Sequence, residues 1–223
     1  MKANPPRPLP YPSTLNEVPL PLGPLKVWQP ASSEDLLDAL ADAPPDPDDK
    51  MPYWADLWPS AIGLATLVEE GVVPVTGPTL ELGAGLALVG LAAARASGEQ
   101  ASVTVSDWID EAQQYALASA EENGLQMSGR LIDWRHPPDE RWRTILAADV
   151  LYEPRNGPML YGAIDAMLAE DGVAWIADPG RDHVPRFLEQ LSGWQLDTLV
   201  KPLSGPLIPG GTARIRVCRL SRA

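Results

Sequence analysis

Cysteine and histidine are nearly absent from this chain. Cys218 is the one cysteine, and His136 and His183 are the two histidines. A lone cysteine excludes an intramolecular disulfide and a cysteine metal cluster. Without an H-x-x-x-H pair there is no basis for a zinc site, and no metal is expected. A G-x-S-x-G turn and a Ser-His-Asp arrangement are also missing, so nucleophilic hydrolysis has no visible machinery. Basic charge is scarce: 17 Lys and Arg stand against 30 Asp and Glu, a net charge of −13. That argues against nucleic acid or an anionic membrane as partner, and fits small molecules or a basic patch on another protein. Long apolar runs are lacking too. The longest, within residues 82–94, is too short to cross a bilayer. The first ten residues lack the apolar core of a signal peptide, so a cytoplasmic protein is expected.

Proline is what the chain has in quantity, 25 in 223 residues, more than half of them before residue 61. Residues 1–50 read as a proline-rich N-terminal arm, in which residues 1–30 cannot be helical and are expected to be extended, lying on the surface or partly disordered. Within it, Val18–Trp28 is expected to form a short edge hairpin. Ser32 or Ser33 would cap a short helix over Glu34–Ala41, and residues 42–49 form an acidic, proline-broken linker. Residues 51–223 make the main domain. Pro59 suits the first turn of a helix reaching about Glu70.

From Thr79 the pattern alternates between strand and helix. Strands are expected at 79–83, 101–106, 128–132, 144–148 and 172–177, with helices at about 86–97, 109–123, 155–169 and 183–192. Such alternation predicts an α/β, Rossmann-like, doubly wound parallel sheet. The tail differs: Trp194–Val200 and Ala213–Leu220 read as strands joined by a loop over 201–211. The expected sheet is therefore seven-stranded and mostly parallel, ending in an antiparallel hairpin.

The stretch from Thr79 to Ala94 runs from strand through a glycine turn into an alanine-rich helix. Gly83 and Gly85 allow a tight reversal with no Cβ between backbone and ligand, and the helix points free N–H groups into the turn. Glu81 at the strand end would repel a pyrophosphate but suit a cationic or hydroxyl-bearing ligand. The next glycine is Gly90, two residues late for a dinucleotide fingerprint. Glu81, Gly83 and Gly85 before a small-residue helix resemble motif I of class I S-adenosylmethionine (SAM) methyltransferases, and the terminal hairpin is similar to theirs. The other strand ends carry acids as well. Asp107, beside Trp108, is placed to take both ribose hydroxyls. Asp133 suits an adenine amino group, with Trp134 covering the ring. Asp149 and Asp178 end the next two strands. A single such acid could be a helix cap; five in succession favour a site.

Four blocks in order resemble the seven-β-strand methyltransferase family 16, which includes many protein lysine methyltransferases: Trp58-Pro59, Leu80 to Gly85, Val105 to Asp107, and Asp149 to Tyr152 with its Asp-x-x-Tyr pattern. Tyr53 to Pro59 and Ala177 to Arg181 are most similar to lysine methyltransferases of the electron transfer flavoprotein β-subunit. The family usually carries a further glycine at the position of Ala87, where alanine is expected to fit inside the helix start. The resemblance implies SAM as cofactor, with S-adenosylhomocysteine (SAH) as product, and a protein substrate carrying the acceptor lysine. It also implies roles: Asp149 stabilises the growing methylammonium charge, Tyr152 orients the amine, and Trp58 covers the methionine end of the cofactor. Asp149 therefore serves both cofactor and catalysis. A flavoprotein β-subunit, a ribosomal protein or a translation factor would supply the lysine, and the enzyme is expected to be a monomer. Alternatives are a small-molecule N-methyltransferase of the same fold, a SAM-binding regulatory or assembly module without activity, and a nicotinamide-dependent oxidoreductase, against which the Gly90 spacing and the hairpin count.

Overall fold

In a computed structural model of the chain, residues 5–32, 36–37, 51–181, 184–189, 191 and 193–223 are described. The expected helix over Glu34–Ala41 and the acidic linker over 42–49 lie outside them, apart from residues 36–37.

The described residues form nine strands: β1 (Ser13–Val18), β2 (Leu25–Pro30), β3 (Thr79–Leu82), β4 (Val103–Asp107), β5 (Ser128–Leu131), β6 (Trp142–Ala148), β7 (Leu168–Asp178), β8 (Trp194–Ser204) and β9 (Thr212–Arg222). The described helices longer than one turn are α1 (Pro59–Glu69), α2 (Leu88–Ser97), α3 (Asp110–Glu122), α4 (Asn156–Met167) and α5 (Val184–Glu189). β3 to β9 form one seven-stranded sheet in the order β5-β4-β3-β6-β7-β9-β8. β3 pairs in parallel with both β4 and β6, so the winding reverses there. β9 pairs antiparallel with β7 and β8, which closes the sheet with the expected hairpin.

Side chains alternate across the sheet with the strand period of two. Leu80, Leu82, Ile145, Ala147, Ala174 and Ile176 face a core shared with α4 and α5. Leu146, Trp175, Ala177, Ile215 and Val217 face the opposite core, shared with α1, α2 and α3. Among the described residues no helix is long and apolar enough to cross a membrane.

Three expectations are corrected. The N-terminal hairpin is not an edge of the main sheet, and it buries one face in the core rather than merely lying on the surface. β1 and β2 pair only with each other, and Val18, Leu25, Val27 and Trp28 are buried in the same core as Tyr115 and Leu91. The prolines explain the displaced boundaries: Pro19, Pro21 and Pro24 fall in the connection, where Gly23 N–H closes the turn on Leu20 O at 3.0 Å, and the strands extend outward from it. The loop over 201–211 is also shorter than expected, because β8 runs to Ser204. Pro202 is tolerated there because β8 is the sheet edge and its missing N–H breaks no inner ladder. Finally, Ala87 is not inside the helix start. It precedes α2 with φ of 58°, a left-handed conformation that costs an L-residue roughly 1–2 kcal/mol and that glycine adopts freely.

Gly90, unassigned by the fingerprint spacing, has a packing role in the first turn of α2. A Cβ on it would stand 2.4 Å from Val105 Cγ1 and 2.7 Å from Glu81 Oε2. Gly90→Ala is therefore expected to destabilise the fold by about 1–3 kcal/mol, as overpacking does. Chemical denaturation of the two proteins measures it, and an unchanged midpoint contradicts this packing.

Candidate functional site

The carboxyl ends of β3 to β7 open into one cavity of about 460 Å³. That is where an open α/β sheet holds its ligand. Trp58, Glu81, Gly83, Gly85, Asp107, Trp108, Asp133, Trp134, Asp149 and Tyr152 all line it. Asp178 does not.

The floor is the glycine turn. Glu81 is almost fully buried, and its Oε2 accepts the Gly90 N–H at 2.7 Å. Burial pushes its carboxyl up to about 8; the Gly90 N–H opposes the rise and the charge of Asp107 adds to it. Asp107, also buried, takes Gly85 N–H at 3.0 Å on one oxygen and Ile109 N–H at 3.1 Å on the other. Burial raises its pKa against the pull of those N–H groups. Ser106, which sequence reasoning passed over, fixes the turn twice: its Oγ donates to Glu81 O and its carbonyl accepts Ala84 N–H. Gly83 and Gly85 both have positive φ. A Cβ on Gly83 would meet Trp134 at 3.0 Å, and one on Gly85 would meet Trp54 O at 3.0 Å.

Beyond the floor the wall turns aromatic. The Arg135 guanidinium lies over the Trp108 ring at 5.8 Å. Asp133 takes the Arg135 side chain and its backbone N–H, contacts that hold the Asp133 carboxyl below its ordinary pKa.

A second group gathers on the side of β6 and β7. Asp149 is a non-glycine residue with φ of 61°, a conformation aspartate tolerates better than most. It is held there by its N–H to Ala177 O (2.9 Å) and by Ser60 N–H donating to Oδ2 (3.2 Å). Arg181 forms an ion pair with Asp149 Oδ1 and another, at 3.1 Å, with Asp178 Oδ2. Tyr152, Tyr53 and Trp58 form an aromatic row: Tyr53 meets Tyr152 edge-on at 5.1 Å and Trp58 at 6.3 Å, and Trp58 Nε1 donates to Tyr53 O. Burial raises the Tyr152 phenol, against a hydrogen bond with Asn156. Tyr53, Ser60 and Arg181 were not legible as site residues. Their signals were the aromatic run before Pro59 and the Asp-Pro-Gly-Arg turn.

A family model described as lysine methyltransferase matches residues 55–194, more than half of the chain. The chain belongs to that family. The match contains every strand end that builds the cavity, from β3 to β7. The chain is 34% identical over 116 residues to the protein-lysine N-methyltransferase rrg1 of Schizosaccharomyces pombe. That match covers 46% of this chain and 38% of the yeast protein, so the chain spans well under half of that relative's length. Among solved structures, the ribosomal protein L11 methylase of Lactobacillus delbrueckii subsp. bulgaricus superposes with a TM-score of 0.54 at 21% identity, covering 71% of this chain and 76% of that one. The magnesium protoporphyrin IX methyltransferase of Synechocystis PCC 6803, solved with bound SAM, gives 0.56 at 14% identity, covering 86% and 92%. At these identities the likeness is one of fold: this lysine methyltransferase family member shares its mostly parallel sheet with them.

The floor has a testable signature. Folded Glu81 keeps its proton to about pH 8, whereas its ordinary value is 4.5. Between those values the native state binds more protons than the unfolded state, so stability falls as pH rises. This contribution is complete below about 4.5 and lost above 8. The thermal midpoint of the wild type should therefore fall more steeply from pH 5 to pH 8.5 than that of Glu81→Gln. Parallel curves would show that Glu81 is not buried in its neutral form.

Proposed function

We propose that this protein transfers the methyl group of SAM to the side-chain amine of a lysine in a protein substrate. The observation that carries the reading is that two different sets of groups share one cavity. The glycine turn with Glu81 and Asp107 forms one end; Asp149 and the aromatic row form the other.

The residues present fit SAM. The positive-φ glycines leave the turn bare of side chains, Asp107 offers carboxylate oxygens for paired hydroxyls, and Trp108, Ile132 and Trp134 supply apolar wall for an adenine. Neither Asp107 nor Glu81, which keeps its proton to about pH 8, offers the positive charge a pyrophosphate would call for. When bound, SAM supplies an electrophilic methyl on a sulfonium. The protein then needs no nucleophile of its own, in keeping with a chain that has none. Its work is orientation and exclusion of water.

The acceptor sets the harder requirement. A lysine has a pKa near 10.4, so neutrality at pH 7 costs roughly 4–5 kcal/mol. Asp149 favours the ammonium, so its contribution is to stabilise the methylammonium charge that grows in the transition state. Tyr152 orients the amine, Tyr53 walls the lysine stem, and Trp58 covers the methionine end of the cofactor. Ring faces attract such cations. The net charge of −13 favours an acceptor set in a basic patch. The similarity of Tyr53 to Pro59 and Ala177 to Arg181 to flavoprotein β-subunit methyltransferases makes that subunit the first acceptor to assay. We further infer a cytoplasmic monomer.

Calorimetric titration with SAH, beside an NADH control, tests the cofactor. Micromolar SAH binding is expected, with at least a tenfold loss in Asp107→Ala. Tritiated SAM added to cell lysate then tests the acceptor. Label should enter protein rather than metabolites, and Asp149→Ala should cut transfer by about a hundredfold, far more than it weakens SAH binding. Full turnover in both Asp149→Ala and Tyr152→Phe would overturn the catalytic assignment.

A further inference from the structure

The carboxylate assigned to the acceptor amine does not stand alone. Arg181 Nη1 pairs with Asp149 Oδ1 and, at 3.1 Å, with Asp178 Oδ2. Asp178 also clamps the Arg181 backbone, because its Oδ1 takes Gly180 N–H at 2.6 Å and Arg181 N–H at 2.7 Å. Asp149 and Asp178 are both nearly buried, and Arg181 lines the cavity. One permanent cation is thus fixed between two acids at the place where the amine must arrive.

Among the described residues, the rest of the wall does not supply that cation. Arg135 is held by Asp133 and Arg155 by Glu153. The other ionisable side chains lining the cavity, Tyr53, Asp56, Glu81, Asp107 and Tyr152, are acids. Asp149 and Asp178 without a counter-charge would hold an incoming lysine as ammonium, which has no lone pair to attack with. A guanidinium does not lose its own proton in proteins, so its opposing charge is constant across the working range.

We propose that Arg181 is a positioning residue that eases loss of the proton from the bound acceptor lysine by offsetting part of the charge of Asp149 and Asp178. The displaced proton passes to solvent as the amine enters. The inference rests on the proposed lysine methylation.

The test is single-turnover label transfer. Enzyme is kept in excess over the acceptor in dialysed lysate, with tritiated SAM as donor, and the first-order rate is followed from pH 6 to pH 10. This rate reads the bound complex. In Arg181→Met the rising limb should move up by about one pH unit or more, the lower end of what one nearby charge does. The rate at pH 7 then drops about tenfold and approaches the wild type near pH 10. Arg181→Lys, which keeps the cation, should recover most of the wild-type limb. Asp178→Asn removes an anion and should move the limb down, a direction that mere loosening of Asp149 does not produce. SAH affinity should stay unchanged throughout. If Arg181→Met fails to fold, the Arg181→Lys and Asp178→Asn profiles decide. A lower plateau with an unmoved limb overturns the proposal and leaves Arg181 as a pin for Asp149. If the wild type labels no protein at any pH, the lysine reading itself falls, and this inference with it.

Discussion

The first turn of α2 lies so close to β3 and β4 that no side chain fits between them. Gly90 makes that approach sterically allowed, and the Gly90 amide makes it chemically specific by donating to Glu81 Oε2. The opening turn of a helix has free N–H groups, and here one of them finds a carboxyl buried beneath it. Burying an acid is unfavourable, and the upward push on the Glu81 carboxyl has that burial as its first cause. The arrangement persists because the acid is the tie between strand and helix. Asp107 repeats the device one strand over, holding Gly85. The two acids together fix the shape of the turn, and the cavity floor follows from that shape.

The same cavity carries opposite demands at its two ends. At the floor, acids that are reluctant to ionise line a place for a positively charged ligand. Near β6 and β7, an ionised acid is needed to meet charge that grows during reaction, yet must not trap the amine before it. A carboxylate alone cannot satisfy both requirements. Asp149 combined with a guanidinium can, provided that the pair is held rigidly. The left-handed backbone at Asp149, the Ser60 amide and the Asp178 clamp all serve that rigidity. Backbone strain of roughly 1–3 kcal/mol at such a residue persists only where its surroundings over-determine it, and here three neighbouring elements do.

Much of this was legible because it is written locally. Each of the strands β3 to β7 ends on or beside an acid, so the residues at these strand ends could be named from position alone, and the cavity gathers nine of them together with Trp58. The glycine turn and the final hairpin were equally plain. What escaped is set by contacts between distant residues. Arg181 reaches Asp149 across 32 positions, and no periodicity announces an ion pair of that kind. Trp28 N–H donates to Ser119 Oγ, 91 positions away, so the burial of the proline-rich arm had no local signal either. Ala87 misled for a different reason. Alanine is the best helix former, and only the turn before α2 forces it left-handed.

The buried arm bears on the site directly. Tyr11 packs against Trp54, and Trp54 against Tyr115 of α3, with ring centres 6.5 and 5.5 Å apart. Ser13 Oγ shares a hydrogen bond of 2.9 Å with the Tyr115 hydroxyl. Trp54 is thus held between the N-terminal segment and the core, while its carbonyl lies against Gly85, where a Cβ would meet it at 3.0 Å. The single 3-10 turn over Pro52–Ala55 cannot hold its place by its own hydrogen bonds. It is seated by this aromatic stack. Tyr53, which meets Tyr152 at the mouth and Trp58 beside it, hangs on the same short segment. The position of the mouth relative to the glycine turn therefore depends on residues some forty positions earlier, in a stretch whose prolines had suggested only a surface arm.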